Sequence, residues 1–409
     1  MNQAVPDRQK PPGTQPFVIA IGKAAVPMAR AAVAVLSARG QRPKGGVVVC
    51  PAPEPIEGLE VIAGDHPVPG AGSVRAANAI ADLCRQVPQG ATVWVLLSGG
   101  ATSLIAGPDD GLTLVDLQQS FEALLRSGLD IGTMNLVRKR LTRWGGGKLA
   151  AALRGARSLQ LIVSDVIGDD LSSIGSGPMV ADPATAAEVL TKLGGSAAAL
   201  PPAVMARLRD MASGHRPDTP RPGDPAFDRV TTRIIVSNRR AIGAVATRAQ
   251  ALGWRVTVEA TPLQGEAAEA GRQIAARLVA LDPAPQPSLL IYGGEPTVHI
   301  TGRAGRGGRA QELALAAAEV AAAHAEQAIL LLAAGTDGRD GPTDAAGAII
   351  DGTTWDRIRA AGENPAASLA GHDSYPVLAR VGALLKTGPT GTNVMDVVLG
   401  LRLPGTGSA

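Results

Sequence analysis

LIVSDVIGDDLSSIGSGPM, residues 161–179, is the stretch that decides how this chain folds. It opens on a short apolar run, passes through three carboxylates (Asp165, Asp169 and Asp170), and ends in Ser and Gly with almost no bulk. An apolar run with no polar alternation reads as a strand buried on both faces, the signature of a parallel sheet covered by helices. In open sheets of that kind, ligands bind outside the carboxyl ends of the strands. The stretch therefore predicts both an α/β fold and a polar rim at which to look for chemistry.

Working outward, similar runs recur at residues 17–21, 47–50, 93–97, 233–236, 255–258, 289–292 and 329–332. Helical stretches are expected at 23–37, 73–85, 114–125 and 133–144, and in the Ala-rich segment 311–325. Short apolar strands separated by helices indicate parallel βαβ units in a doubly wound α/β fold. The clearest linker is HRPDTPRPGDPAFD, residues 215–228, whose four prolines suit a surface crossing. It divides the chain into expected domains at 15–228 and 229–409, a long loop within one domain being the alternative.

The 409 residues are 45% hydrophobic and 18% charged, which describes a globular protein with a sizeable core. Net charge is only +3 and aromatics are 2%, too few for base-stacking platforms, so no nucleic-acid partner is expected. Cys50 and Cys84 form neither a disulfide framework nor a metal spacing. They fit small buried hydrophobes in a reducing compartment. The N-terminus is polar and Pro-rich without an apolar leader core, and no run reaches about 18 apolar residues, so a cytoplasmic protein without membrane association is expected.

The strand ends carry two kinds of group. Gly22-Lys23, Ser98-Gly99-Gly100 and Gly335-Thr336 offer N–H, hydroxyl and ammonium donors; Asp165 to Asp170, Gly293-Gly294-Glu295 and Asp337 offer carboxylate oxygen. Phosphate with Mg²⁺ needs both at one rim. In LLSGGATSL, residues 96–104, the glycines let backbone N–H groups approach an anion, or simply make a tight turn. Three close carboxylates repel one another unless a cation or proton intervenes; the alternative is helix capping by Asp170. Lys23 stands just before a helix, where the macrodipole opposes a cation and a partner anion would offset it. Arg303, Arg306 and Arg309 lie among glycines ahead of another helix, and Arg binds carboxylate or phosphate in a fork. Asp65-His66-Pro67 is read as a substrate contact, with a structural His as the bland alternative. There is no Walker loop, HExxH or CxxC. Residues 305–310 match G-x-G-x-x-A literally, the starting point for an NAD(P)H-dependent reductase. Two arginines crowd that turn, however, and Glu326 precedes the next strand instead of ending it.

Taken in order, AIGKAAVPMA, GDHPVPG, LLSGGATSL, NLVRKRL with GGKLA, SDVIGDDLSSIGSGP, YGGEPTV, GRGGRAQELAL, GTDGRDGPTDAAGA and TGPTGTNVMD resemble the glycerate 2-kinases that carry a C-terminal MOFRL domain. The resemblance runs from about Phe17 through nearly the whole chain. It implies a Rossmann-like, mostly parallel sheet in a large N-terminal domain and a second α/β domain of MOFRL type, with the active-site cleft between them. It implies ATP-dependent phosphorylation of D-glycerate at the 2-hydroxyl, giving 2-phosphoglycerate and ADP, with Mg²⁺. Members are often labelled hydroxypyruvate reductases, so that activity stays as the alternative, beside a non-catalytic nucleotide- or anion-binding protein on the same scaffold.

The family's key Lys and Arg match Lys23 and Arg309. On this reading Lys23 neutralises the moving phosphoryl group and Arg309 grips the carboxylate of glycerate or the γ-phosphate. Gly99, Gly100 and Ser103 cradle phosphates, with Gly293, Gly294 and Glu295 as further nucleotide contacts. Asp165 or Asp169 holds Mg²⁺, Asp169 counting also among the catalytic groups. Asp65, His66 and Lys139 contact the acid substrate, and Asp337 or Asp340 accepts the hydroxyl proton. This chain departs from the family at Arg140, Ala310 and Met395, where a His and two Asn are usual, and in a shorter segment before its first strand. A homodimer is the base-rate expectation.

Overall fold

A computed structural model describes residues 15–404; most of the polar N-terminal stretch lies outside them. The chain divides into two compact units, Met1–Ile235 and Val236–Ala409. Among the described residues no helix is long and apolar enough to cross a membrane.

The first unit is built on strands β1 (Phe17–Ile21), β2 (Gly45–Cys50), β3 (Glu60–Ala63), β4 (Thr92–Leu97), β5 (Arg157–Val163) and β6 (Val230–Val236), in the spatial order β3-β2-β1-β4-β5-β6. From β3 through β5 every neighbouring pair is parallel. That order reverses direction between β1 and β4, the switch point at which doubly wound sheets bind ligands. Register puts Ile21 beside both Val49 and Leu97, so β1, β2 and β4 end level and the residues that follow them share one rim.

Both faces are covered, which is why the strands read as unbroken apolar runs. Ile19, Ile21, Val47, Val95 and Leu97 pack with Ala76, Ala77 and Ile80 of helix Ala71–Gln86. Val18, Ala20, Val48 and Leu96 pack with Ala25, Ala29 and Leu36 of helix Ala25–Ser37. Cys50 is buried in that second layer and neither cysteine is paired.

The Pro-rich segment 215–228 is not a free crossing. Thr219 is buried and its hydroxyl donates to Asp182 Oδ2 at 3.1 Å, while Arg140 Nε lies 2.9 Å from Asp218. Beyond it β6 joins the first sheet, with Thr232 Oγ1 donating to Gln160 of β5 at 2.9 Å. The compact units therefore part at 235/236, beyond the expected break at 228/229.

The second unit holds β7 (Arg255–Val258), β8 (Ser288–Gly294), β9 (Ile329–Gly335), β10 (Gly347–Asp351), β11 (Leu384–Leu385) and β12 (Asp396–Arg402), ordered β11-β10-β9-β12-β8-β7. Only β7 and β8 pair in parallel; β12 runs antiparallel to both β8 and β9, and β10 antiparallel to β9 and β11. Parallel βαβ units thus describe the first sheet, while the second is mixed. The last strand, with the run VVLGL at 397–401, inserts between β8 and β9. Helix Arg309–Ala322 is buried along nearly its whole length. A side chain at Gly271 of helix Ala267–Val279 would strike the Leu313 carbonyl, so small residues set this close helix pairing.

Candidate active site

The rim of the first sheet gathers residues from four loops. Lys23 follows β1, exposed, with its N–H donating to the Gly99 carbonyl at 2.9 Å. Ser98, buried, accepts from Ala24 N–H at 3.0 Å and ties the two loops together. Gly22 has φ 125°, and a Cβ there would overlap Ser98, so both conformation and space demand glycine. Gly100 (φ 82°) is left-handed; a Cβ on it would lie 3.2 Å from His66 Cδ2 and 3.4 Å from Lys23 Cγ. A Cβ on Gly99 would overlap the carboxylate of Asp165. Lys23, His66, Gly99, Gly100 and Asp165 are thus neighbours around bare backbone. Burial, and then the Lys23 charge, lower the His66 pKa and favour its neutral form.

Other predicted residues of this unit have internal partners. Asp65 Oδ2 accepts from Ser73 N–H at 3.0 Å and its own N–H donates to Ser73 Oγ, which pins the start of helix Ala71–Gln86. Ser103 is buried and its hydroxyl donates to the Pro67 carbonyl at 2.6 Å, holding the GDHPVPG loop against LLSGGATSL. Lys139 is buried with Nζ 3.6 Å from Asp182. Burial lowers its pKa, against the charges of Asp182 and Asp170. Beside it Arg140, fully buried, donates to Asp182 and to carbonyls at 136 and 184. These contacts fasten helix Ile131–Leu141 to the segment that carries Asp182 and Ala184.

The opening stretch resolves accordingly. Asp170 caps its own turn, accepting from Ser172 N–H at 3.1 Å and from the hydroxyls of Ser172 and Ser173. Burial opposes its ionisation, but those hydrogen bonds and Lys139 outweigh it and hold the carboxyl below its ordinary range. Asp169 sits at φ 57°, left-handed and uncommon for a residue with a side chain. The Ser-Gly tail is a packing device: Gly146 and Gly147 N–H donate to the carbonyls of Ser176 and Gly177, both at 2.8 Å. A Cβ on Gly175 would meet Ala101 and Leu97 at 3.0 Å.

The second rim centres on Arg309, first residue of helix Arg309–Ala322. Its Nε and one terminal nitrogen donate to Asp396 at 2.6 and 3.0 Å, and the other terminal nitrogen donates to Glu295 at 2.6 Å. Burial opposes the charge on Arg309, but these carboxylates overcome it and raise the pKa above its ordinary value. Asp340 is buried, and its two oxygens accept the N–H groups of Ala310 (3.1 Å) and Gln311 (2.8 Å). It therefore caps the helix that presents Arg309. Burial pushes its pKa up to about 6, against those two hydrogen bonds. Asp337 is partly exposed and accepts from Arg339 N–H at 2.9 Å.

Gly293 and Gly294 owe their lack of side chains to the fold: Cβ atoms there would overlap the Asn238 amide and the Leu263 backbone. The G-x-G-x-x-A match dissolves for the same reason. Gly305, Gly307 and Gly308 are packed against Asp373, Ser374 and Asp340, and Arg306 lies 3.9 Å over the Tyr375 ring.

Sequence reasoning gave no role to Asp396 or Asn238. The first closes the TGPTGTNVMD motif, and an acid at the very start of a strand was the available signal. The second holds the carbonyls of Val394 and Asp396 at 2.8 and 2.9 Å, fixing that acid's backbone. Met395 is left-handed (φ 66°), a conformation Asn tolerates better. Among the described residues no group of three or more His, Cys, Asp or Glu side chains is arranged to hold a metal ion.

Residues 2–209 match the family described as a domain of unknown function, DUF4147, and residues 288–396 match the MOFRL family. A D-glycerate 2-kinase of Thermotoga maritima is 38% identical over 392 residues, 94% of this chain and 90% of its own length. A glycerate 2-kinase of Pyrococcus horikoshii is 37% identical, covering 94% of this chain and 87% of its own. The crystal structure of a glycerate kinase from Thermotoga maritima superposes with a TM-score of 0.87 at 37% identity, over 96% of this chain and 92% of that one.

Proposed function

The chain belongs to the glycerate 2-kinase family, and on that premise we propose that it transfers the terminal phosphoryl group of ATP to the 2-hydroxyl of D-glycerate, giving 2-phosphoglycerate and ADP. The observation that carries this reading is the rim at the β1/β4 switch point, where Lys23 and His66 stand beside the left-handed, partly exposed Gly100, and Asp165 lies against the neighbouring Gly99.

Phosphoryl transfer is mostly positioning and electrostatics. Lys23 offers an ammonium to the charge that builds on the transferred group. Gly99 and Gly100 let phosphate oxygens approach N–H groups. Mg²⁺ takes one or two carboxylates together with substrate phosphates in preference to an all-protein cage. Carboxylates on a single loop beside a phosphate cradle fit that donor pattern, and Asp165 and Asp169 would hold the ion. When bound, Mg²⁺ supplies charge neutralisation at the phosphates.

Arg309 is held in a fixed fork by Asp396 and binds an anionic group of a substrate, the carboxylate of glycerate or a phosphate. Asp337 is the better acceptor for the hydroxyl proton, because Asp340 has both oxygens engaged at the helix start. Ser103, Asp65 and Lys139 support the rim from behind, and His66 faces it. The deciding experiment incubates purified protein with D-glycerate, ATP and Mg²⁺ and follows ADP and phosphoglycerate. Formation of both is expected. Oxidation of NADH with hydroxypyruvate in place of ADP formation would overturn the reading.

A further inference from the structure

Arg309 has two carboxylate partners that differ in kind. Asp396 is 3% exposed and engages two nitrogens, so releasing it would strand a buried charge. Glu295 is 43% exposed and engages one terminal nitrogen at 2.6 Å. Its carboxylate returns to water at little cost, since exposed ion pairs are screened and contribute little. Arg309 with both acids carries a net charge of −1, the wrong sign for binding a further anion. An incoming carboxylate or phosphate must therefore displace one partner, and only Glu295 is free to leave. Its oxygens present to the guanidinium the same chemistry a substrate anion would present.

We propose that Glu295 is a displaceable occupant of the anion site on Arg309, held there until the carboxylate or phosphate of a substrate takes its place, and that it sets the affinity of that site. The displaced acid stays close enough to re-engage, which also helps expel the anionic product. The inference rests on the kinase reading for the identity of the anion, though not for the exchange itself.

The test compares the full-length protein with its Glu295→Gln variant, which keeps the size of the side chain and removes the charge. KM is measured for D-glycerate at saturating ATP, and for ATP at saturating D-glycerate. One of the two is expected to fall by about three- to tenfold, as apparent affinity rises with the fraction of binding-competent sites. A fall for D-glycerate identifies the anion as the carboxylate, and a fall for ATP as the phosphate. Structural damage does not tighten binding, so the fall in KM is a readout a merely supporting role would not give. Both KM values unchanged or raised would overturn the proposal. Titration of inorganic phosphate and of D-glycerate by calorimetry, without turnover, separates the two readings. If the wild type lacks kinase activity yet the Gln variant binds either anion more tightly, the exchange stands and the kinase reading falls.

Discussion

Single residues here are fixed by what lies within an ångström or two. Gly99 faces Asp165, so Gly99→Ala must push that carboxylate aside. We expect kcat/KM to fall by about a hundredfold, the cost of misplacing one catalytic group by roughly 1 Å. Its measure is the coupled ADP assay. Lys23→Ala removes a cation expected at the transition state, worth about 3–4 kcal/mol, and should lower kcat by roughly a hundredfold or more. Near-wild-type turnover would remove Lys23 from the mechanism. Arg309→Lys should fail to rescue Arg309→Ala, because an ammonium cannot reproduce the fork that Asp396 grips with two hydrogen bonds.

At the scale of the element, the start of helix Arg309–Ala322 depends on one buried acid. Asp340→Ala removes the acceptor of two first-turn N–H groups and should destabilise the protein by about 1–2 kcal/mol, seen as a lower denaturation midpoint. The acid also makes stability depend on pH. Its folded pKa of about 6 lies above the value of about 3.9 for an unfolded Asp. Between about pH 4 and 6 the folded state therefore holds the proton that the unfolded state has released, and stability falls as pH rises through that window. The wild type should lose about 2–3 kcal/mol relative to Asp340→Asn between about pH 4 and 7, the divergence levelling off above that. Urea unfolding of both proteins across that range is the check; a gap that does not change with pH would show that Asp340 titrates normally. The acid was visible in GTDGRDGPTD, but its role was not. A capping contact between Asp340 and Ala310 joins residues 30 apart in sequence, which spacing does not reveal.

For the molecule as a whole, the boundary between the units is the testable point. β6 adds to the first sheet beyond β5, and its Val230 and Ile234 pack against the first unit's core. A fragment ending at residue 228 would leave β5 as an uncovered edge, whereas one ending at 235 keeps most of β6. The shorter fragment should be the less soluble and the less stable in urea. Equal behaviour would mean that β6 contributes nothing to the first unit. Composition shift alone placed the break at the prolines, because it registers where helix and strand patterns stop. It does not register that Asp218 and Thr219 serve a buried arginine on helix Ile131–Leu141.

What the sequence determined by itself was the fold class and the rim. Periodicity and unbroken apolar runs are local, and a run with no polar face has few places to go except between two layers of helices. The motif order was equally local, and carried the family. Tertiary structure alone decided which polar residues face outward from the rim and which hold it up. Lys23 is exposed and Gly100 partly so, whereas Gly99 is buried and Ser103, Asp65, Lys139 and Asp340 are engaged by internal partners. It also decided that the last strand, β12, lies between β8 and β9 and brings Asp396 to Arg309 across 87 residues. A side chain's partner is set by strand order and register, and those emerge only when distant segments compete for the same buried space.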